Sequence, residues 1–336
     1  MPDTVASKLP FGAVMATGAA SQLAGAAGVE PLRLPLLGAT IVVAVAVVLR
    51  HLAHRPCARP GAPATRLGTF TVPVGLAVIG TGIAHVEIPA TAPAAAALVA
   101  LAWLSTAVLI GVVVLPLLAA PPPLAAVGGA WFLAPAALLA DAIGAAAVAA
   151  RLSGATALSW LAAVVALFGS TLYLLVVGLA VKRIVTCGLA WSPRSAWWIA
   201  AGCGGLSAAA LGRTATVLQQ MGAASAMVHG FAVVAFGMWA IGCAALVPIL
   251  AASVRYLLRV RHLSGRPPWP PTFSTGVFAL GARQVGRLNG ATMVTHFADL
   301  AAVLTLGFWV TTVLTTAPRL VHGVRASLGA THALRR

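Results

Sequence analysis

The sequence predicts an all-α membrane protein with ten transmembrane helices, arranged as five helical hairpins around a central pore. Three observations support this: long apolar stretches fill most of the chain, positive charges lie in alternate connections, and glycine and proline recur in every second stretch. Of the 336 residues 60% are hydrophobic and only 8% are charged, and the mean hydropathy is +1.00. A soluble domain of this length could not keep so much apolar surface out of water.

Each predicted span approaches the roughly 20 apolar residues that a helix needs to cross a bilayer core. The spans are residues 10–29, 35–52, 69–86, 91–118, 127–150, 157–181, 194–212, 225–254, 272–293 and 297–317. They divide the chain into a cytoplasmic N-terminus (1–9), a transmembrane domain (10–317) and a basic cytoplasmic tail (318–336). Reading the first span as a signal peptide would leave an odd number of spans and disturb the charge pattern.

The net charge of +16 is arranged as in membrane proteins, which argues against a nucleic-acid partner. Sixteen of the 21 Lys and Arg residues lie on one side of the predicted spans. They are Lys8, Arg50, Arg55, Arg59, Arg66, Lys182, Arg183, Arg194, Arg255, Arg259, Arg261, Arg266, Arg319, Arg325, Arg335 and Arg336. The opposite loops hold only Arg33, Arg151 and Arg213. Because positive residues accumulate on the cytoplasmic side, we expect a multi-pass protein of the inner (plasma) membrane with both termini in the cytoplasm.

Helix-breaking and small residues recur in the odd-numbered spans, for example Pro73 and Gly75 in the third span and Gly202 and Gly205 in the seventh. Small residues let helices approach closely or bend, so tight packing is one interpretation. Recurrence on every odd span favours a second interpretation, in which five kinked helices surround a pore and five more hydrophobic helices lie outside them. The candidate pore-lining residues are Phe11, Gly12, Gly18, Phe70, Gly80, Phe132, Gly204 and Gly281.

Few ionisable side chains lie at membrane depth, and each is therefore a candidate for a functional role. Arg283 and Arg287 lie one helical turn apart in the ninth span, Asp141 lies in the fifth span, and Asp299 lies near the outer end of the tenth. The arginines could contact permeating anions or pair with Asp141 or Asp299. A unit charge 4 Å away is worth about 4 kcal/mol at an effective dielectric constant of 20, which is strong for a site on a fast pathway.

The sequence does not support an enzyme, a metal site or a cofactor. His51 and His54 are three residues apart, but Arg50 and Arg55 flank them and would repel a cation. The chain has only five acidic residues, which is few for a membrane-embedded enzyme. It has no phosphate-binding loop of the G-x-x-x-x-G-K type, and its four cysteines show no paired spacing.

Several segments resemble one family of transporters. Leu9–Gly18 is similar to an opening-helix pattern P-x-x-F-x-x-V-M-x-T-G, and Trp269–Gly281 is similar to a ninth-helix pattern P-x-x-W-S-x-x-F-P-L-G. Weaker likenesses are Thr69–Gly82 in the third span and Trp131–Pro135 in the fifth. Together they resemble the tellurite-resistance/dicarboxylate transporter family, which includes malate and sulfite exporters and slow-type anion channels.

The resemblance implies ten helices in five hairpins, often a homotrimer, with a pore in each protomer lined by the odd helices. It also implies that an aromatic residue of the ninth helix plugs the pore, and the matching position is Phe278; the alternative for Phe278 is a packing role. The chain departs from the pattern at Ser274, where the family has Trp, at Ala279, where it has Pro or Gly, and in carrying Arg283 and Arg287.

We therefore expect channel-like transport of small anions, with the lipid bilayer as the other partner. Candidates are chloride or nitrate-like ions, sulfite, tellurite-type oxyanions and C4-dicarboxylates such as malate. The residues agree, because the spans lack the rings of carboxylates that cation pathways use. The alternative is a proton-coupled, alternating-access exporter of a dicarboxylate or oxyanion, which needs a protonatable group at mid-depth such as Asp141. A non-transporting scaffold is a third interpretation, but the short loops offer little surface for partners.

Overall fold

The computed structural model describes residues 11–53, 66–86, 88–152, 155–188, 197–259 and 269–333. Within these ranges the secondary structure is entirely helical, with no strand. Six helical segments there are long and apolar enough to cross a membrane, judged by length and composition. The prediction of an all-α protein of membrane type is confirmed at this level.

The helices are named α1 to α10 in chain order. A short 3₁₀ turn, Gly68–Phe70, precedes the third helix, and another, Gly129–Phe132, precedes the fifth. The fourth helix continues through a π-helical turn, Ile110–Val114, into Leu115–Ala119. The helices are α1 (Phe11–Ala26), α2 (Glu30–Ala53), α3 (Thr71–Ala84), α4 (Thr91–Leu109), α5 (Leu133–Ala149), α6 (Thr156–Cys187), α7 (Trp198–Gln220), α8 (Ser225–Arg259), α9 (Trp269–Leu288) and α10 (Thr292–Ala333).

Three tight turns in the described chain join an odd helix to the next even one, and all three end on the same motif. Gly28, Gly222 and Gly290 have positive φ angles of 76°, 77° and 61°. In each turn the next residue donates a backbone hydrogen bond to the carbonyl five residues earlier, as Val29 does to Ala24 at 2.8 Å. This Schellman motif stops a helix and reverses the chain within a few residues.

The odd helices contact one another in a closed order: α1 on α3, α3 on α5, α5 on α7, α7 on α9, and α9 on α1. Each even helix packs on the odd helix before it in the chain. Every residue of α5 is buried, whereas the even helices expose large apolar side chains such as Val42, Leu104 and Leu175. An apolar exterior around a buried inner ring is the surface that a lipid environment requires.

The odd helices α1, α3, α7 and α9 fall outside the six membrane-length apolar segments, and α5 falls inside them. Helices α1 and α3 have only 16 and 14 residues, and α7 and α9 carry arginines within the helix. All four are largely buried by their neighbours. A helix shielded in this way needs less apolar surface than one that faces lipid.

Some helices extend beyond the predicted spans. Helix α7 extends to Gln220, so Arg213 lies within a helix and not in a loop. Helix α10 extends to Ala333, so most of the predicted tail, 318–336, is helical. The predicted N-terminus, 1–9, and the basic connection that contains Arg55 and Arg59 lie outside the described residues.

Candidate functional site

A cavity of about 270 Å³ lies inside the ring of odd helices, at their C-terminal ends. We call it the vestibule. Its wall includes residues from all five odd helices and Arg33 from α2. The lining residues are Ala19, Ser21, Gln22, Gly25, Ala26, Arg33, Val78, Thr81, Gly82, His85, Ala140, Ile143, Leu206, Ala209, Arg213, Val277, Leu280, Arg283, Gln284 and Arg287.

Helical spacing explains how the vestibule changes from apolar to polar along its depth. On α9 the lining residues Val277, Leu280, Gln284 and Arg287 follow one another at steps of three or four, which keeps them on one face of the helix. The first two are apolar and the last two polar. Helix α7 shows the same order, since Leu206 and Ala209 precede Arg213. We call this polar end, towards the C-terminal ends of the helices, the mouth of the vestibule.

Arg33 is held at the mouth by partners on two helices and a turn. Its Nη1 donates to Glu30 Oε1 at 2.9 Å, and its Nη2 donates to the main-chain carbonyl of His85. Its own carbonyl accepts a hydrogen bond from Ser21 of α1 at 2.9 Å. These contacts tie α1, α2 and the end of α3 together.

Arg213 contacts His85 across the mouth. The Nδ1 of His85 lies 2.6 Å from the carbonyl oxygen of Thr81, which can only accept, so Nδ1 is the protonated nitrogen. In the neutral ring Nε2 is then an acceptor, and Arg213 Nη1 donates to it at 3.0 Å. The contact fixes the tautomer of His85 and aims the guanidinium of Arg213 at the region between α3 and α7.

Arg283 and Arg287 occupy the opposite side, next to α1. Both donate to the main-chain carbonyl of Ala26, one of the groups that a helix C-terminus leaves without an intrahelical partner. Arg283 also forms an ion pair with Asp299 of α10. Of the two acids considered for these arginines, Asp299 is therefore the partner and Asp141 is not.

The charges around the vestibule are unbalanced. Four arginines line it, and no aspartate or glutamate is among its lining residues. Glu30 and Asp299 pair with Arg33 and Arg283, whereas Arg213 and Arg287 form no ion pair within the described part of the chain. Among the described residues, about two positive charges at the mouth therefore have no compensating acid.

Asp141 lies away from the vestibule, although its neighbours Ala140 and Ile143 line it. It is 2% exposed, and its main-chain carbonyl accepts a hydrogen bond from Trp103 of α4 at 3.1 Å. Its Oδ1 finds no hydrogen-bond partner among the described residues. Asp141 therefore belongs to the contact between α4 and α5, outside the vestibule.

The ring of Phe278 faces the even helices. It stacks on Trp239 of α8 and meets Phe297 of α10 edge to face, with centroid separations of 6.0 and 5.9 Å. Phe278 is buried but does not line the vestibule, although its neighbour Val277 does. These contacts favour the packing interpretation of Phe278 over the interpretation as a pore gate.

Apart from Phe11, whose side chain is not described, none of the predicted pore-lining residues borders the vestibule. A Cβ added to Gly18, Gly80, Gly204 or Gly281 would meet Val78, Val99, Gly242 or Gly205 respectively, so these glycines face neighbouring helices. Phe132 contacts Tyr173 and Trp197. Phe70 is fully buried, Gly12 is half-buried, and the side chain of Phe11 lies outside the described residues. The glycines thus mark close helix packing, and only Arg283 and Arg287 of the predicted site border the cavity.

One helical turn deeper, the same five helix faces carry a layer of buried residues. The innermost lining residues are Ala19, Val78, Ala140, Leu206 and Val277. The residue four positions before each of them lies on the same face, about one turn towards the N-terminal end. These five residues, which we call the closed layer, are all buried. They are Met15, Val74, Ala136, Gly202 and Phe273.

Sequence reasoning missed Gln22, Arg33, His85, Arg213 and Gln284. One available signal was the recurrence of polar residues near the C-terminal ends of the odd spans, on the faces that precede each turn. The sequence pattern assigns Arg33 and Arg213 to loops, and it does not single out Gln22 or Gln284.

Comparison with known proteins adds no assignment. No protein-family model matches the chain, and a search of curated proteins finds no match. Among the described residues no group of three His, Cys, Asp or Glu side chains could hold a metal ion. The fold and the vestibule thus define a helical protein of membrane type with a cationic cavity inside a ring of helices.

Proposed function

We propose that the protein conducts small anions across a membrane through the ring of odd helices. The observation that carries this proposal is the vestibule, which four arginines line and which no carboxylate in the described part of the chain lines. An anion that leaves water needs replacement partners for its hydration shell, and guanidinium N–H groups supply them. The candidate substrates remain chloride or nitrate-like ions, sulfite, tellurite-type oxyanions and C4-dicarboxylates.

The ion pairs that some of the vestibule arginines form favour passage of an anion over its permanent binding. A single charge 4 Å from an anion is worth about 4 kcal/mol at an effective dielectric constant of 20, so four free arginines would hold it too tightly to release. Glu30 and Asp299 offset two of the four. Arg213 and Arg287 are left to attract an anion at the mouth.

The closed layer supplies the resting barrier in this proposal, and Phe273 is its bulkiest side chain. A buried apolar constriction excludes ions because it does not stay wet. Phe273 lies on the vestibule face of α9, whereas the ring of Phe278 packs on α8 and α10. We therefore place the gate at Phe273, although the family resemblance points to Phe278.

The proposed architecture follows the sequence: ten membrane-spanning helices in five hairpins, with both termini in the cytoplasm. The closed order of odd-helix contacts and the exposed apolar faces of the even helices support it. With this orientation the vestibule opens to the outside of the cell membrane. Membership of the tellurite-resistance/dicarboxylate transporter family, and a homotrimer, belong to the same proposal.

The proton-coupled exporter is the weaker candidate, because Asp141 lies outside the vestibule at the contact between α4 and α5. Liposome flux separates the two functions. Vesicles that contain the purified protein and an anion-sensitive dye should take up chloride or nitrate down its gradient without a proton gradient. Uptake only when a proton gradient is imposed would favour the exporter, and no uptake of any candidate anion would contradict anion transport.

A further inference from the structure

A second cavity, of about 300 Å³, shares part of its wall with the vestibule. We call it the side chamber. It is bordered by the C-terminal end of α3, the end of α5 with the turn that follows, and the last turns of α7. Its lining residues are Ala84, His85, Ala146, Ala147, Ala150, Arg151, Arg213, Thr216, Val217, Gln220 and Gln284.

His85, Arg213 and Gln284 line both cavities. The hydrogen bond from Arg213 Nη1 to His85 Nε2 therefore lies in the wall between them. Gln284 is held by its own bond to Thr216, from Nε2 to Oγ1 at 2.9 Å. A guanidinium has five N–H donors in one plane, so Arg213 can keep His85 and still donate into the side chamber.

Arg151 is the second cation of the side chamber. It lies in the turn after α5, and its Nη2 lies 3.4 Å from the main-chain carbonyl oxygen of Ile88, which makes a long and weak hydrogen bond. Four other polar side chains line the chamber, and none of its lining residues is an aspartate or a glutamate. Two arginines thus border a polar space in which no described carboxylate balances them.

We infer that the side chamber is a second anion-binding site, in which Arg151 and Arg213 hold one small anion such as a halide, a nitrate or a carboxylate group. Charge-assisted hydrogen bonds from two guanidiniums match this chemistry. The inference shares Arg213 with the proposed function but needs no permeation. An anion bound in the side chamber partly neutralises the charge of Arg213, which also attracts anions to the vestibule. Filling of the site at high anion concentration would therefore reduce flux.

Bromide tests the inference, because its anomalous scattering locates it directly. Crystals of the full-length protein grown in sodium bromide should show an anomalous peak within hydrogen-bonding reach of both Arg151 and Arg213. The peak should vanish in crystals of Arg151→Gln and remain in those of Arg151→Lys, which keeps the charge. A wild-type chamber without a peak, or a peak unchanged in Arg151→Gln, would overturn the inference.

A flux measurement links the site to its effect and keeps it separate from the proposed function. In liposomes, Arg151→Gln should remove the decline of flux at high bromide concentration while leaving flux at low concentration unchanged. A decline identical in wild type and Arg151→Gln would contradict the regulatory effect. If the bromide peak is present and the liposomes show no flux at all, the binding site stands and the transport proposal fails.

Discussion

The two ends of the odd-helix ring differ in chemistry although the same five helices build both. At the C-terminal ends four arginines, two glutamines and a histidine surround an open vestibule. One turn below the deepest lining residues, Met15, Val74 and Phe273 of the closed layer are buried. In the proposed function the cationic entrance attracts an anion and the apolar layer stops it. Under that proposal, attraction and occlusion lie in separate layers and can be changed independently.

The largest expected effect comes from opening the closed layer. We expect Phe273→Ala to raise anion flux at least about tenfold, because removing the ring leaves space for water in the closed layer. Phe278→Ala is the matched control. Its ring packs on Trp239 and Phe297, so its loss should cost about 3–5 kcal/mol of stability with little change in flux.

Dye-based flux in liposomes and thermal unfolding in detergent measure both outcomes. Raised flux in a well-folded Phe278→Ala together with unchanged flux in Phe273→Ala would return the gate to Phe278.

Weakening the attraction at the mouth should have the next largest effect. Arg213 has no acidic partner in the part of the chain that the structure describes, so Arg213→Gln removes one uncompensated charge. We expect anion flux to fall about tenfold, which corresponds to about 1.4 kcal/mol. Arg213→Lys should retain more of the flux than the glutamine variant. Equal flux in all three proteins would exclude Arg213 from the pathway.

The α7–α9 crossing that supports both layers depends on the absence of side chains. A Cβ on Gly281 would lie 2.2 Å from the carbonyl oxygen of Gly205, so Gly281→Ala must push the two helices apart. We expect a loss of about 2 kcal/mol or more and a lower yield of folded protein. Gly237→Ala in α8 is the control, because nothing lies within 4 Å of its added Cβ, and it should be neutral or stabilising. Equal melting temperatures of the two variants would contradict the close approach.

Single cysteine substitutions should have the smallest effect on the protein. Their reactivity reports which layer is accessible to water and from which side of the membrane. In a cysteine-free background, Gln284→Cys should react with a membrane-impermeant thiol reagent added outside cells. Met15→Cys, in the closed layer, should not react from that side. Reaction of position 284 only from the cytoplasmic side would reverse the proposed orientation.

Much of the fold follows from the sequence, because apolar length and charge placement act on whole helices. Those signals predicted the all-α class and the approximate position of the helices. Which residues line the site depends on how each helix is rotated about its own axis, and amino-acid composition carries no information about that rotation. Val277 and Phe278 are adjacent, but about 100° separates their directions on a helix, and only Val277 borders the vestibule.

The glycines show a second limit of the sequence. Their recurrence correctly indicates close approach, yet Gly204 and Gly281 face α8 and α7 and do not face the cavity. Arg213 was missed because the predicted seventh span ended at residue 212, one residue before it. A charged residue at the end of a span can face a loop or a cavity, and only the packing of α7 against its neighbours decides between them.

The reversal potential of purified protein in a planar bilayer under a potassium chloride gradient tests the central claim most directly. If the cationic vestibule makes the ring an anion pathway, the wild-type reversal potential lies near the Nernst potential of chloride. The double variant Arg213→Glu/Arg287→Glu should shift it towards zero or towards the potential of potassium. A wild-type value near the potassium potential, or a chloride-selective value that the double variant leaves unchanged, would contradict the account.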